Sequence, residues 1–185
     1  YSCDKDTAPE KMIYGIFKQL NELPNVGLSG DRFYAPEDTV GRLEYSGSVL
    51  AIDPSGRGSD ETAYAVVKML NGFLHVPAAG GIAGGYSDET LTTLAELAKE
   101  HKVNTVLIES NFGDGMFTEL LKPHMQKIYP VSMEEVRHTK QKEARIIDTL
   151  EPVMNQHRLV IDPKVIQKDY ESVQHLPPEK AMRYM

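Results

Sequence analysis

The chain has 185 residues, 41% of them hydrophobic and 25% charged, enough to bury one core with some accessory chain. Its single cysteine, Cys3, excludes an internal disulfide framework. With no run near the ~20 apolar residues of a membrane span and no signal-peptide pattern, a soluble intracellular protein without membrane contact is expected. The net charge of -7 argues against a general electrostatic grip on nucleic acid and leaves room only for a local basic face.

In chain order, residues 1–46 read as a linker with one amphipathic helix. Met12, Ile13, Ile16, Phe17 and Leu20 fall at helical spacing within Glu10 to Leu23, and the stretch from Pro24 is rich in Pro, Gly, Asp and Ser. A compact domain is expected over 47–185. Val49 to Asp53 is its first strand, and Thr62 to Leu70 and Gly72 to Pro77 pair through an Asn71-Gly72 turn, a strong hairpin signal. Past the glycine-rich Ala78 to Gly85, Ser87 caps a helix running to about His101. Thr105 to Glu109 is a fourth strand, Asp114 to Met125 a helix with Asp114 as its cap, and Ile128 to Ser132 a fifth strand. Lys140 to Met154 reads as a third helix, and Asp162 as the cap of a short fourth over Pro163 to Tyr170. This order predicts an α/β fold: a ribonuclease H-like mixed β-sheet of about five strands flanked by helices on both faces.

Two strands end on acid. Val49-Leu50-Ala51-Ile52 runs into Asp53, followed by a glycine-rich turn carrying Asp60 and Glu61; Val106-Leu107-Ile108 runs into Glu109. A carboxylate at the end of an apolar strand needs a cation or hydrogen bonds. If the strands are neighbours, Asp53 and Glu109 repel unless a divalent ion neutralises both. Oxygen-only ligands suit Mg²⁺ or Mn²⁺ rather than zinc, and the six histidines show no zinc-like spacing. Asp60 is a candidate further ligand, with a polar hairpin entry as the competing reading. For Asp53 the alternative is a cap on the following turn, and for Glu109 an ion pair with a lysine.

Arg57, beside the acidic turn, and the group Arg137, Lys140, Lys142 and Arg145 are the candidate DNA contacts; a solvated helix face is the alternative for the group. The glycine pairs do not form a nucleoside triphosphate loop, since Gly-x-x-x-x-Gly-Lys-Ser/Thr is missing.

Three segments in order, Ile52 to Thr62, Glu109 to Phe117 and Asp148 to Met154, resemble the nuclease domain of the large terminase subunit of short-tailed bacteriophages, over roughly Ser48 to Tyr170. The resemblance implies an Mg²⁺- or Mn²⁺-dependent endodeoxyribonuclease that cuts concatemeric viral DNA during genome packaging, with Asp53 and Glu109 as catalytic ligands of two metal ions. It implies double-stranded DNA, a packaging ATPase domain, the portal and the small terminase subunit as partners, and the cytoplasm of the infected bacterial host as the setting. The family's third carboxylate, in an Asp-Asp motif near a late helix, has no match here, so the domain is expected to be incomplete at its C-terminal end. Two other readings remain: a catalytically incomplete assembly or DNA-binding module, and an actin-like phosphotransferase.

Overall fold

The computed structural model describes residues 1–15, 18–24, 32–56, 60–110 and 115–177. Its centre is a six-stranded mixed sheet built from β1 (Gly47–Asp53), β2 (Thr62–Leu70), β3 (Phe73–Ile82), β4 (Thr105–Glu109), β5 (Ser132–Val136) and β6 (Leu159–Ile161), in the order β5-β4-β1-β2-β3-β6. Strands β5, β4 and β1 run parallel, the β1-β2-β3 meander is antiparallel, and β6 pairs parallel with β3. Four helices complete the domain: α1 (Asp88–Glu100), α2 (Met116–Ile128), α3 (Lys142–Asn155) and α4 (Pro163–Val173).

Strand alternation decides what lies where. Leu50, Ile52, Val66, Val106 and Ile108 point to one face and form the core with Leu91, Leu94, Ala95 and Ala98 of α1 and Phe117, Leu121 and Met125 of α2. Side chains one residue out of phase, including Asp53 and Glu109, therefore project from the opposite face. That face is reached by α3, so helices flank the sheet on both sides as expected.

The hairpin forms where Asn71-Gly72 predicts it: both residues have positive φ, 50° and 79°, as a tight turn matched to strand twist requires. Its second strand runs on to Ile82, through the glycine-rich segment. The missing Cβ at Gly80 leaves room for the Tyr64 hydroxyl, which a Cβ would meet at 3.2 Å. Ser87 caps α1, its Oγ accepting from the Thr90 amide at 3.2 Å. Asp162 caps α4, accepting from the Lys164 amide at 2.9 Å, while its other oxygen accepts from the Cys3 amide. The Cys3 thiol is pushed up to about 12 by burial first and then by the Asp162 charge.

Three expectations change. The helix over Glu10 to Leu23 is not formed: Lys11–Ile13 pairs antiparallel with Asp38–Val40, and Lys18–Gln19 with Tyr34–Ala35. Met12 is buried between more exposed neighbours, a period-two arrangement; Ile16 and Phe17, on which the helical spacing leaned, lie outside the described residues. Together with Thr7–Ala8 against Leu43–Glu44, these pairs make an antiparallel ribbon. It is tied to the sheet: Lys68 Nζ donates to the Lys5 carbonyl at 2.6 Å, and Asn71 Nδ2 to the Glu10 carbonyl at 2.8 Å. The fifth strand lies at Ser132–Val136 rather than Ile128 to Ser132, because α2 continues to Ile128, which packs against the core. A sixth strand, β6, was unforeseen. Helix α2 begins at Met116 after Gly115, and Asp114, expected as its cap, lies outside the described residues.

Candidate active site

Strands β1 and β4 lie side by side with Ile52 opposite Ile108. Asp53 and Glu109 each follow one residue later, so both carboxylates leave the same end of adjacent parallel strands on the same face. Neighbouring strands are ~4.8 Å apart, which makes the two acids close neighbours on rigid elements. Beneath them lies a cavity of about 420 Å³, with Ala51, Ala63, Ala65 and Leu107 among its lining and Val136 and His138 on the β5 side. Its floor is apolar and its rim acidic.

The loop that follows Asp53 is pinned from below. Thr62, fully buried, accepts from the Ser55 amide at 3.1 Å and donates to the Gly85 carbonyl at 3.3 Å. Gly85 has φ of +59°, and a Cβ there would lie 2.9 Å from the Gly56 carbonyl oxygen. The turn after the aspartate and the turn before α1 therefore hold each other. Thr62 was not singled out in the sequence, where it reads as an ordinary strand threonine.

Both acids are met by bases from one helix. Lys142 Nζ donates to Asp53 Oδ2 at 2.7 Å, and Arg145 Nη2 to Glu109 Oε1 at 3.2 Å. Lys142 and Arg145 are three residues apart on α3, hence on one helical face. The two pairs differ in environment: Lys142 and Asp53 have side chains 60% and 40% exposed, Arg145 and Glu109 only 22% and 15%. The Lys142 ammonium titrates above the usual lysine range, first because of the hydrogen bond it donates to Asp53 and then because of that carboxylate's charge. Expected as DNA contacts, both bases serve here as counter-ions.

The other candidates take different positions. Arg137 Nε donates to Ser110 Oγ at 3.2 Å, just past the end of β4, and Lys140 pairs loosely with Asp148 at 3.9 Å. Arg57 lies outside the described residues. Asp60 is exposed, and among the described residues no group of three or more His, Cys, Asp and Glu side chains comes together, so Asp60 does not join Asp53 and Glu109. Two hard oxygen donors on adjacent strand ends suit one Mg²⁺ or Mn²⁺ ion whose remaining ligands are water or phosphate oxygens. A second ion needs a ligand beyond these two. His138, on the cavity wall, is a further polar group.

Residues 52–159 match the family model described as Terminase Bacteriophage T7, Ribonuclease H-like domain. The chain is 48% identical over 166 residues to the terminase large subunit of Enterobacteria phage T3, covering 88% of this chain and 28% of that protein. The chain thus spans about a quarter of its relative's length. Among solved structures, the nuclease domain of the large terminase subunit of bacterial virus Sf6 superposes with a TM-score of 0.53 at 12% identity, covering 69% of this chain and 70% of that one. A mutant of that domain solved with manganese and beta-thujaplicinol gives 0.52 at 12% identity, with the same coverage. These likenesses show the shared ribonuclease H-like fold, and the chain belongs to the family of ribonuclease H-like domains of the bacteriophage T7 type of terminase.

Proposed function

We propose that this domain is the nuclease of a phage large terminase subunit, a divalent-metal-dependent endodeoxyribonuclease that cuts concatemeric double-stranded viral DNA during packaging. The observation that carries the reading is the pairing of Asp53 and Glu109 at adjacent ends of parallel strands, over a cavity and on the face away from the core. Strand ends of open α/β sheets are where such folds place their ligands. The manganese present in the Sf6 mutant structure supports the same metal class.

Asp53 and Glu109 would hold Mg²⁺ or Mn²⁺, which would supply an activated water and charge stabilisation at the scissile phosphate. The chain's own part is to fix both carboxylates on strands and to brace the Asp53 turn through Thr62. Arg137 and Lys140 flank the approach as the contacts offered to backbone phosphates, while Lys142 and Arg145 stand on the two acids. In the two-ion scheme a further carboxylate is required beyond the pair. The packaging ATPase domain, portal and small subunit are the partners this role entails, in the cytoplasm of the infected host.

One observation favours a second reading, an assembly or DNA-binding module: both acids are already neutralised by bases of the same chain. Incubating labelled duplex DNA with the protein in Mn²⁺ or in chelator decides between them. Fragments with 5′-phosphate and 3′-hydroxyl ends in Mn²⁺ alone support the nuclease; retarded but intact DNA in both supports the module.

A further inference from the structure

We infer that α3 is an internal counter-ion strap: Lys142 and Arg145 hold the two carboxylates and must release them before a divalent cation binds. The inference rests on the metal-site reading above and concerns how that site is regulated.

Three features of α3 point to it. The helix contributes no buried residue; Ile146, Ile147 and Met154 are exposed, so little apolar packing holds it against the sheet. Its attachment near the site is instead electrostatic, through two side chains one turn apart, each on a different acid. The Arg145 guanidinium is also incompletely satisfied, because its Nε is buried without a hydrogen-bond partner among the described residues. A group held in this way is inserted for the charge it meets rather than for a complete hydrogen-bond set.

The exchange follows from charge. A divalent ion on Asp53 and Glu109 takes carboxylate lone pairs that Lys142 and Arg145 now use, and places two positive charges beside an ammonium and a guanidinium. Like charges at such range repel strongly in a half-buried site, so metal and strap exclude one another. Once released, the two cations face whatever carries negative charge at the cavity mouth, and the phosphates of an entering DNA strand fit that description. The site is therefore quiet without substrate and completed by it.

The test is a Mn²⁺ titration followed by the electron paramagnetic resonance of the free ion, at low ionic strength. It compares the unmodified protein, Lys142→Met, the Lys142→Met/Arg145→Met pair, Lys140→Met as a charge control, and Asp53→Asn/Glu109→Gln. Melting curves confirm that each is folded, as expected for a helix with no fully buried residue. Removing the strap should tighten Mn²⁺ binding about tenfold in the double variant, the effect of a competing ion pair on the binding constant, with a smaller gain for Lys142→Met and none for Lys140→Met. Backbone amide exchange across 142–155 should also speed up as unmodified protein is saturated. Equal, finite affinity in the unmodified protein and the double variant overturns the strap and leaves the metal site standing. No Mn²⁺ binding by either, matching the Asp53→Asn/Glu109→Gln protein, overturns the metal reading itself and the strap with it.

Discussion

Lys142 and Asp53 are 89 positions apart in the chain, yet the lysine ammonium lies 2.7 Å from the aspartate oxygen, and one turn further along α3 Arg145 repeats the contact with Glu109. The two pairs should not weigh equally in stability. Glu109→Ala leaves a poorly exposed guanidinium without its carboxylate and should cost about 1–3 kcal/mol, whereas Lys142→Met breaks a solvated pair and should cost about 1 kcal/mol or less. Urea denaturation of both variants tests the order, and a larger loss in Lys142→Met would contradict it.

The brace under the Asp53 turn makes a second prediction. Thr62→Val keeps the shape but removes the oxygen that accepts from the Ser55 amide and donates to the Gly85 carbonyl. Buried groups left unpaired this way should lower stability by about 1–3 kcal/mol. Gly85→Ala should act in the same direction, since its backbone is left-handed and the added carbon would press on the Gly56 carbonyl. Amide exchange at Ser55 should accelerate in both; protection as in the unmodified chain would show that the turn is held otherwise.

A third concerns acid. His75 is fully buried on β3, edge-on to the Tyr45 ring at 5.5 Å between centroids. Burial, with a smaller push from the Tyr1 amino group, lowers its pKa from 6.5 to about 4. The folded chain therefore keeps His75 neutral where the unfolded chain takes up a proton. Its stabilising share is complete above pH 6.5 and is lost as pH falls toward 4, up to about 3 kcal/mol in all. In His75→Leu this slope between pH 6.5 and 4 should vanish from the denaturation free energy, and an unchanged slope would assign it to other groups.

What the sequence reveals follows the physical range of each signal. The hairpin was legible because Asn71-Gly72 sets its turn locally, and the α1 and α4 starts because Ser87 and Asp162 cap their own helices. The N-terminal ribbon was not, since a three-residue strand such as Lys11–Ile13 also fits part of a helical spacing and only pairing with Asp38–Val40 decides. β5 carries Glu134 and Glu135, as an edge strand can, and so lacks the apolar run by which buried strands are recognised. β6 is three residues long and defined wholly by its partner β3. At the site, the acidic strand ends marked Asp53 and Glu109, and their adjacency is seen in the β1-β4 register. An ion pair at Glu109 was among the sequence readings, with a lysine rather than Arg145 as its base, but that α3 would supply both bases was not foreseen; the three-residue spacing of Lys142 and Arg145 shows a shared helix face and carries no information on what that face meets.

The central claim, that Asp53 and Glu109 form a metal-dependent nuclease centre, is tested most directly by cleavage of supercoiled plasmid in Mn²⁺ by the unmodified protein, Asp53→Ala and Glu109→Ala. The account predicts nicked and linear DNA with the unmodified protein, and a loss of at least about 100-fold in rate with either acid removed. Cleavage that persists undiminished in folded Asp53→Ala or Glu109→Ala would contradict it.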